Sequence, residues 1–171
     1  YRNQVQMMFQ DPYAAMNPRL TIADIISEGM RAQGMSKSII QNRLYELLDQ
    51  VNLPKTSLQR YPHQFSGGQR QRIGIARALA TQPEVIICDE PTSALDVSVQ
   101  AQILNLLKTL QLELGLSYLF ITHNMGVVSY LADEVLVMKG GKVVEHAATE
   151  ALFGCPETEY TRELIAAVPD F

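Results

Sequence analysis

The sequence has few cysteines, no dominant charge and no long apolar run. Its two cysteines, Cys88 and Cys155, are too few and too far apart for a disulfide framework or a zinc site. A reduced, intracellular compartment is the simpler expectation. With 14 basic and 18 acidic residues the net charge is −4, so nothing global draws the chain to nucleic acid, and no nucleic-acid partner is expected. No signal-peptide pattern and no apolar run long enough for a bilayer is present, so any membrane role is expected to run through a partner. Internal repeats and low-complexity tracts are also missing. So is G-x-x-x-x-G-K-[ST], the loop whose backbone amides and lysine hold most of a nucleotide's phosphates in proteins built on it.

What is present fits one ordinary domain: 171 residues, 47% apolar and 19% charged, enough for a sizeable core. The chain opens on Tyr1 and enters an apolar stretch, Val5 to Phe9, almost at once. A strand entered from earlier chain is the expectation, and with it a fragment. "QDPYAAMNP" is broken by Pro12 and Pro18 and reads as a loop. Thr21 caps a helix with Ile22, Ile25 and Ile26 on one side. Ser36 caps another with Ile40, Leu44, Leu47, Leu48 and Val51 at helical spacing, stopped by Pro54.

After Pro62 the texture changes. A helix from Gly67 to Ala80 precedes "EVIIC", a continuous apolar run of the kind buried on both faces of a sheet. A helix from Val99 to Leu114, with Ile103, Leu104, Leu107, Leu110 and Leu114 inward, ends at Gly115. "LSYLFIT" is a second buried strand, and "EVLVMKGGKVVEH" is a hairpin turning at Gly140-Gly141. A short amphipathic helix with Tyr160, Leu164 and Ile165 closes the chain. Apolar strands alternating with helices predict an α/β fold with a mostly parallel sheet.

Two clusters carry chemistry. In "VIICDE" the strand delivers Asp89 and Glu90 to its carboxyl end, where open α/β sheets bind ligands. One carboxylate can hold Mg²⁺, which takes few protein ligands, and its neighbour can activate water. Alone, such a pair equally marks an exposed turn. In "SGGQ" Ser66 can cap a helix, and two glycines leave amides open to an oxyanion; an ordinary capped helix reads the same way. Arg70, Arg72 and Arg77 on that helix read as a solvated face. His123 and Gln10 each follow an apolar strand, and a lone His is more often structural. The weight lies in four element tips that all carry groups suited to ATP, metal or water.

Together these residues resemble the nucleotide-binding subunit of ATP-binding-cassette transporters over nearly the whole chain. "FSGGQRQR" resembles the family signature, "VIICDEP" the Walker B strand, and Ser93 to Asp96 the D-loop. His123 in "ITHN" falls where a switch histidine stands, and Gln10 in "MFQDP" where the Q-loop stands. Phe65 departs from the usual Leu, and Asn124 from a frequent acidic residue. "FQDPYAAMNPR" and "CPETEYTRELIAAVP" are similar to the peptide and nickel importer branch.

The resemblance implies a partial P-loop NTPase (RecA-like) core with an inserted α-helical subdomain. Its divisions would be a core strand and Q-loop over 1–10, the helical subdomain over 11–65, and the signature over 66–80. The core proper would take 81–147 and an importer-type tail 148–171. It implies ATP and Mg²⁺ as cofactors, with Asp89 and Gln10 at the metal and Glu90, His123 and Gln10 in hydrolysis. Ser66, Gly67, Gly68, Gln69 and Asp96 would meet nucleotide across a head-to-tail dimer of cassettes. Further implied partners are membrane permease subunits and, indirectly, a solute-binding protein, at the cytoplasmic face of a bacterial-type membrane. Two alternatives are a cassette ATPase acting on DNA or chromosomes, whose heptads are missing, and a non-catalytic interaction module. Without the phosphate loop the chain by itself is expected to be inactive and prone to self-association.

Overall fold

A computed structural model describes residues 4–11 and 14–167. Tyr1, Pro12 and the end of the expected tail, 168–171, lie outside the described residues. The chain forms two compact units, Tyr1–Ile121 and Thr122–Phe171.

In the first unit three parallel strands, β1 (Val5–Met8), β2 (Val85–Asp89) and β3 (Ser117–Ile121), lie side by side with β2 central. Their register aligns Met8 with Cys88 and Cys88 with Phe120. One face is core: Met8, Ile86 and Cys88 are buried, with Tyr118 and Phe120 packed against them. Burial pushes the Cys88 thiol pKa up to about 12, so it stays protonated and inert.

The opposite face departs from the sequence reading. Strand β3, expected to be a buried strand like β2, leaves Leu119 and Ile121 exposed, Leu119 by 51%, and Val5 and Met7 of β1 are exposed as well. Parallel strands read as continuous apolar runs because helices normally cover both faces. Among the described residues only one face is covered.

Helices α1 (Ile22–Ala32) and α2 (Lys37–Gln50) start where expected. Thr21 Oγ1 accepts the Asp24 amide and Ser36 Oγ accepts the Ile39 amide. Their apolar stripes, including Ile22, Ile26, Met30, Leu44, Leu47 and Leu48, pack on α3 (Gly67–Leu79) through Ile73, Ile75 and Leu79. The arginines are not a solvated face. Arg72 donates to the Val51 carbonyl (2.9 Å) and Arg70 to that of Phe65 (2.9 Å). Arg77 binds the Ala15 carbonyl (2.8 Å) and Glu28 (3.0 Å). Loop and helix-end carbonyls have no intrahelical donor and must be satisfied elsewhere. These side chains do so and tie the helical segment to α3.

Helix α4 (Val97–Leu114) begins two residues before its apolar pattern, because Asp96 caps it. It ends at Gly115, whose φ of 65° suits a residue without Cβ. Leu106 is buried where the periodicity omits it, whereas Leu114, in the last turn, is exposed.

The second unit holds α5 (Met125–Leu131), an antiparallel pair β4 (Glu134–Lys139) and β5 (Lys142–Ala148), and helices α6 (Thr149–Gly154) and α7 (Glu159–Ala166). Gly140 and Gly141, at φ 56° and 77°, form the two-residue turn their sequence predicts. Tyr160, Leu164 and Ile165 of α7 are half-buried.

Candidate functional site

Because β1 and β2 are parallel neighbours, their carboxyl ends share one sheet edge. Gln10 and Glu90, 80 positions apart, meet there: Gln10 Nε2 donates to Glu90 Oε2 at 3.1 Å. Asp89 is the last residue of β2, half-buried and in register with Ile121. Glu90 has φ +43°, a conformation non-glycine residues adopt at a cost and one that gathers at functional sites. Neighbours hold it in place. Its amide donates to the Ile121 carbonyl (2.9 Å), and its carbonyl accepts the Ser93 amide (3.2 Å) and hydroxyl (3.1 Å). Beside it a cleft of about 200 Å³ is lined by Gln10, Asp11, Gly67, Arg70, Gln71 and Leu95, among others. Gln71 is 2% exposed, and its Nε2 has no hydrogen-bond partner among the described residues.

The signature helix starts with a reciprocal cap. Ser66 Oγ accepts the Gln69 amide (3.3 Å) while Gln69 Oε1 accepts the Ser66 amide (3.1 Å). The S-x-x-Q spacing carries this capping box in plain sight, and reading Ser66 alone misses it. Ser66, Gly67 and Gln69 are exposed, so the positive end of the helix dipole faces solvent. Gly68 is half-buried against α4 rather than open. At the start of α4, Asp96 Oδ1 accepts the Val99 amide (2.9 Å) and the Ser98 hydroxyl (2.8 Å), which hold its carboxyl below the usual carboxylate range. One oxygen of Asp96 is thereby committed to its own helix. The sequence reading missed this role, although Asp followed by an apolar helical stretch signals it.

His123 lies in the second unit, exposed, ahead of α5. Asn124, the departure from an acidic residue, caps that helix: its Oδ1 accepts the Gly126 (3.0 Å) and Val127 (3.3 Å) amides. Thr122 Oγ1 accepts the Asn124 amide at 3.0 Å, so the residues on both sides of His123 are locally fixed.

The structure thus brings Gln10, Asp89 and Glu90 to one edge, and within the same unit sets Ser66 to Gln69 near Asp96 on two packed helices. Among the described residues no cluster of three or more His, Cys, Asp or Glu could hold a metal alone. Oxygen donors in such small number fit Mg²⁺, which completes its shell with water and substrate phosphates.

The chain belongs to the ABC transporter family, whose model matches residues 1–93. Relatives at 50–54% identity include oligopeptide transport ATP-binding proteins and putative peptide import ATP-binding proteins. It is 54% identical to the oligopeptide transport ATP-binding protein OppF of Bacillus subtilis (strain 168), across 99% of this chain and 56% of that protein. It is also 54% identical to OppD, a protein of the same description from Mycobacterium tuberculosis (strain H37Rv), across 98% of this chain and 28% of that one. The chain spans about half the length, or less, of the curated relatives it matches. Among solved structures it resembles cbiO1 of Clostridium perfringens, part of the ABC transporter complex cbiONQ. The TM-score is 0.81 at 28% identity, over 98% of this chain and 65% of that one. The fold is accordingly the α/β core of a P-loop NTPase.

Proposed function

We propose that the chain is part of an ATP-hydrolysing subunit that powers import of peptides or related small solutes through a membrane transporter. The observation that carries this is the Gln10–Glu90 hydrogen bond at the sheet edge, 3.1 Å long, joining two of the residues implied for hydrolysis. The names of relatives at 50–54% identity support the peptide branch over an ATPase acting on DNA.

In this reading Glu90 draws a proton from the attacking water, and the Gln10 amide orients its carboxylate. Asp89, with Gln10, would hold Mg²⁺, which when bound neutralises phosphate charge. Ser66 to Gln69 offer a helix N-terminus, and Asp96 a neighbouring carboxylate, to the nucleotide of an opposite cassette. His123 would contact the γ-phosphate. The helical segment over 11–65 would dock on permease subunits at the cytoplasmic face of the membrane, and a solute-binding protein would act indirectly. The divisions 1–10, 66–80, 81–147 and 148–171 keep the roles given above.

The exposed sheet face is the natural seat for a further segment bearing the phosphate loop. Uptake of a peptide or related small solute coupled to ATP hydrolysis, in vesicles holding the complete transporter, tests the function; uptake that needs no ATP, or no ATP hydrolysis, refutes it. For the 171-residue chain alone, calorimetry should show weak or no MgATP binding and light scattering should show self-association. Tight saturable binding, or a monomer at high concentration, would count against the respective half of this statement.

A further inference from the structure

The two glycines of "SGGQ" are not equivalent. A Cβ placed on Gly67 would meet its nearest neighbour, Leu95 Cδ2, at 3.4 Å, an ordinary contact. A Cβ on Gly68 would sit 2.5 Å from Val99 Cγ1, closer than side chains tolerate. The Gly68 backbone does not require a glycine, since it lies in regular α3 and shows no positive φ. What requires it is the neighbouring helix. Val99 is the third residue of α4, and it packs partly buried against the core. A β-branched side chain in a helix has essentially one favoured χ1, so Val99 cannot simply swing aside. Its own amide is the donor to Asp96 Oδ1 at 2.9 Å.

We propose that Val99 is a positioning residue. Its side chain fills the space that a Cβ at position 68 would take, and so sets the spacing between two helix N-termini. One carries Ser66 to Gln69 and the other carries Asp96. That these termini act on a nucleotide rests on the function proposed above; the contact between them does not. A larger residue at 68 pushes α4's first turn away and carries Asp96 with it. Glycine at this position thus serves the fit between two helices, beyond any close approach of a phosphate.

The experiment compares Gly68→Ala, Val99→Ala and the double variant. In the complete transporter, Gly68→Ala should lower ATP turnover about tenfold, a strong coupling for residues in contact. The double variant should recover to within about threefold of Val99→Ala, since removing two methyl groups makes room for one. A double variant as impaired as Gly68→Ala would overturn the proposal, because a glycine needed only for phosphate approach is not rescued from α4. Amide exchange on the 171-residue chain gives a readout independent of activity. The Val99 amide should exchange faster in Gly68→Ala and regain protection in the double variant; unchanged exchange in Gly68→Ala overturns the contact. A wild-type transporter without ATP turnover refutes the function alone, and the exchange result then decides the contact.

Discussion

Two glutamates, one in each unit, show opposite uses of a carboxylate. Glu145 on β5 is 7% exposed and is met from the α6–α7 segment. The Glu157 amide donates to Oε1 (2.8 Å); the Thr158 amide (3.1 Å), the Thr158 hydroxyl (3.0 Å) and the Thr161 hydroxyl donate to Oε2. The Thr161 hydroxyl above all, then the Glu157 and Thr158 groups, hold its pKa down at about 2. All four donors lie within 16 positions of it, so the site is a local latch that fixes the start of α7. Glu90 is half-buried, sits in a left-handed conformation, and is reached by Gln10 from 80 positions away. A carboxylate fully enclosed by short-range donors serves stability. One placed at a cleft by long-range topology, with backbone strain, is suited to act on something that arrives.

The sharpest way to break this comparison is Glu90→Gln in the complete transporter. If Glu90 is the base, turnover should fall about a hundredfold or more, the usual share of a positioned general base. Nucleotide binding should survive, since the amide keeps the side chain's shape, and ATP should accumulate with the cassettes closed. Turnover near wild type removes Glu90 from the chemistry and leaves its strain without a role. Stability of the 171-residue chain should barely change, because no carboxylate latch is lost there.

Much of this was legible in the sequence, and the failures share a cause. The caps Thr21, Ser36 and Ser66, the stop at Gly115 and the Gly140-Gly141 turn depend on a few consecutive residues, and all stand as read. The sheet-edge position of Asp89, Glu90 and Gln10 followed from strands ending in polar groups. What sequence could not supply was partnership at a distance. Arg72 and Arg77 read as a solvated face because their acceptors, Val51 and Ala15 carbonyls, are 21 and 62 positions away. Gly68 read as an opening for an anion because Val99, which crowds it, lies on another helix. Leu119 and Ile121 read as doubly buried because apolar composition reports what a strand is made to face, not what covers it among these residues. Glu145 was not singled out, since its donors gather only when β5 and α7 meet.

The other half of the comparison is tested by acid. The folded pKa of Glu145, about 2, lies below its ordinary 4.5. The carboxylate therefore stabilises the latch fully above pH 4.5, and this contribution is lost as pH falls toward 2, where folded protein takes up its proton. Lys139 Nζ sits 4.2 Å from the centre of the Tyr160 ring, a second tie between hairpin and α7 that does not involve Glu145. The expected change is consequently modest: NMR signals of Thr158 and Thr161 should shift as pH falls from 4.5 toward 2 while the antiparallel pairing of β4 with β5 persists. Glu145→Gln should lack this transition. At neutral pH the same variant should exchange its Glu157 and Thr158 amides about tenfold faster, because the charge-assisted hydrogen bonds they donate to Glu145 are replaced by neutral ones. If Glu145→Gln titrates like wild type over this window, the latch is not held by the carboxylate. The contrast with Glu90 would then rest on position in the fold alone.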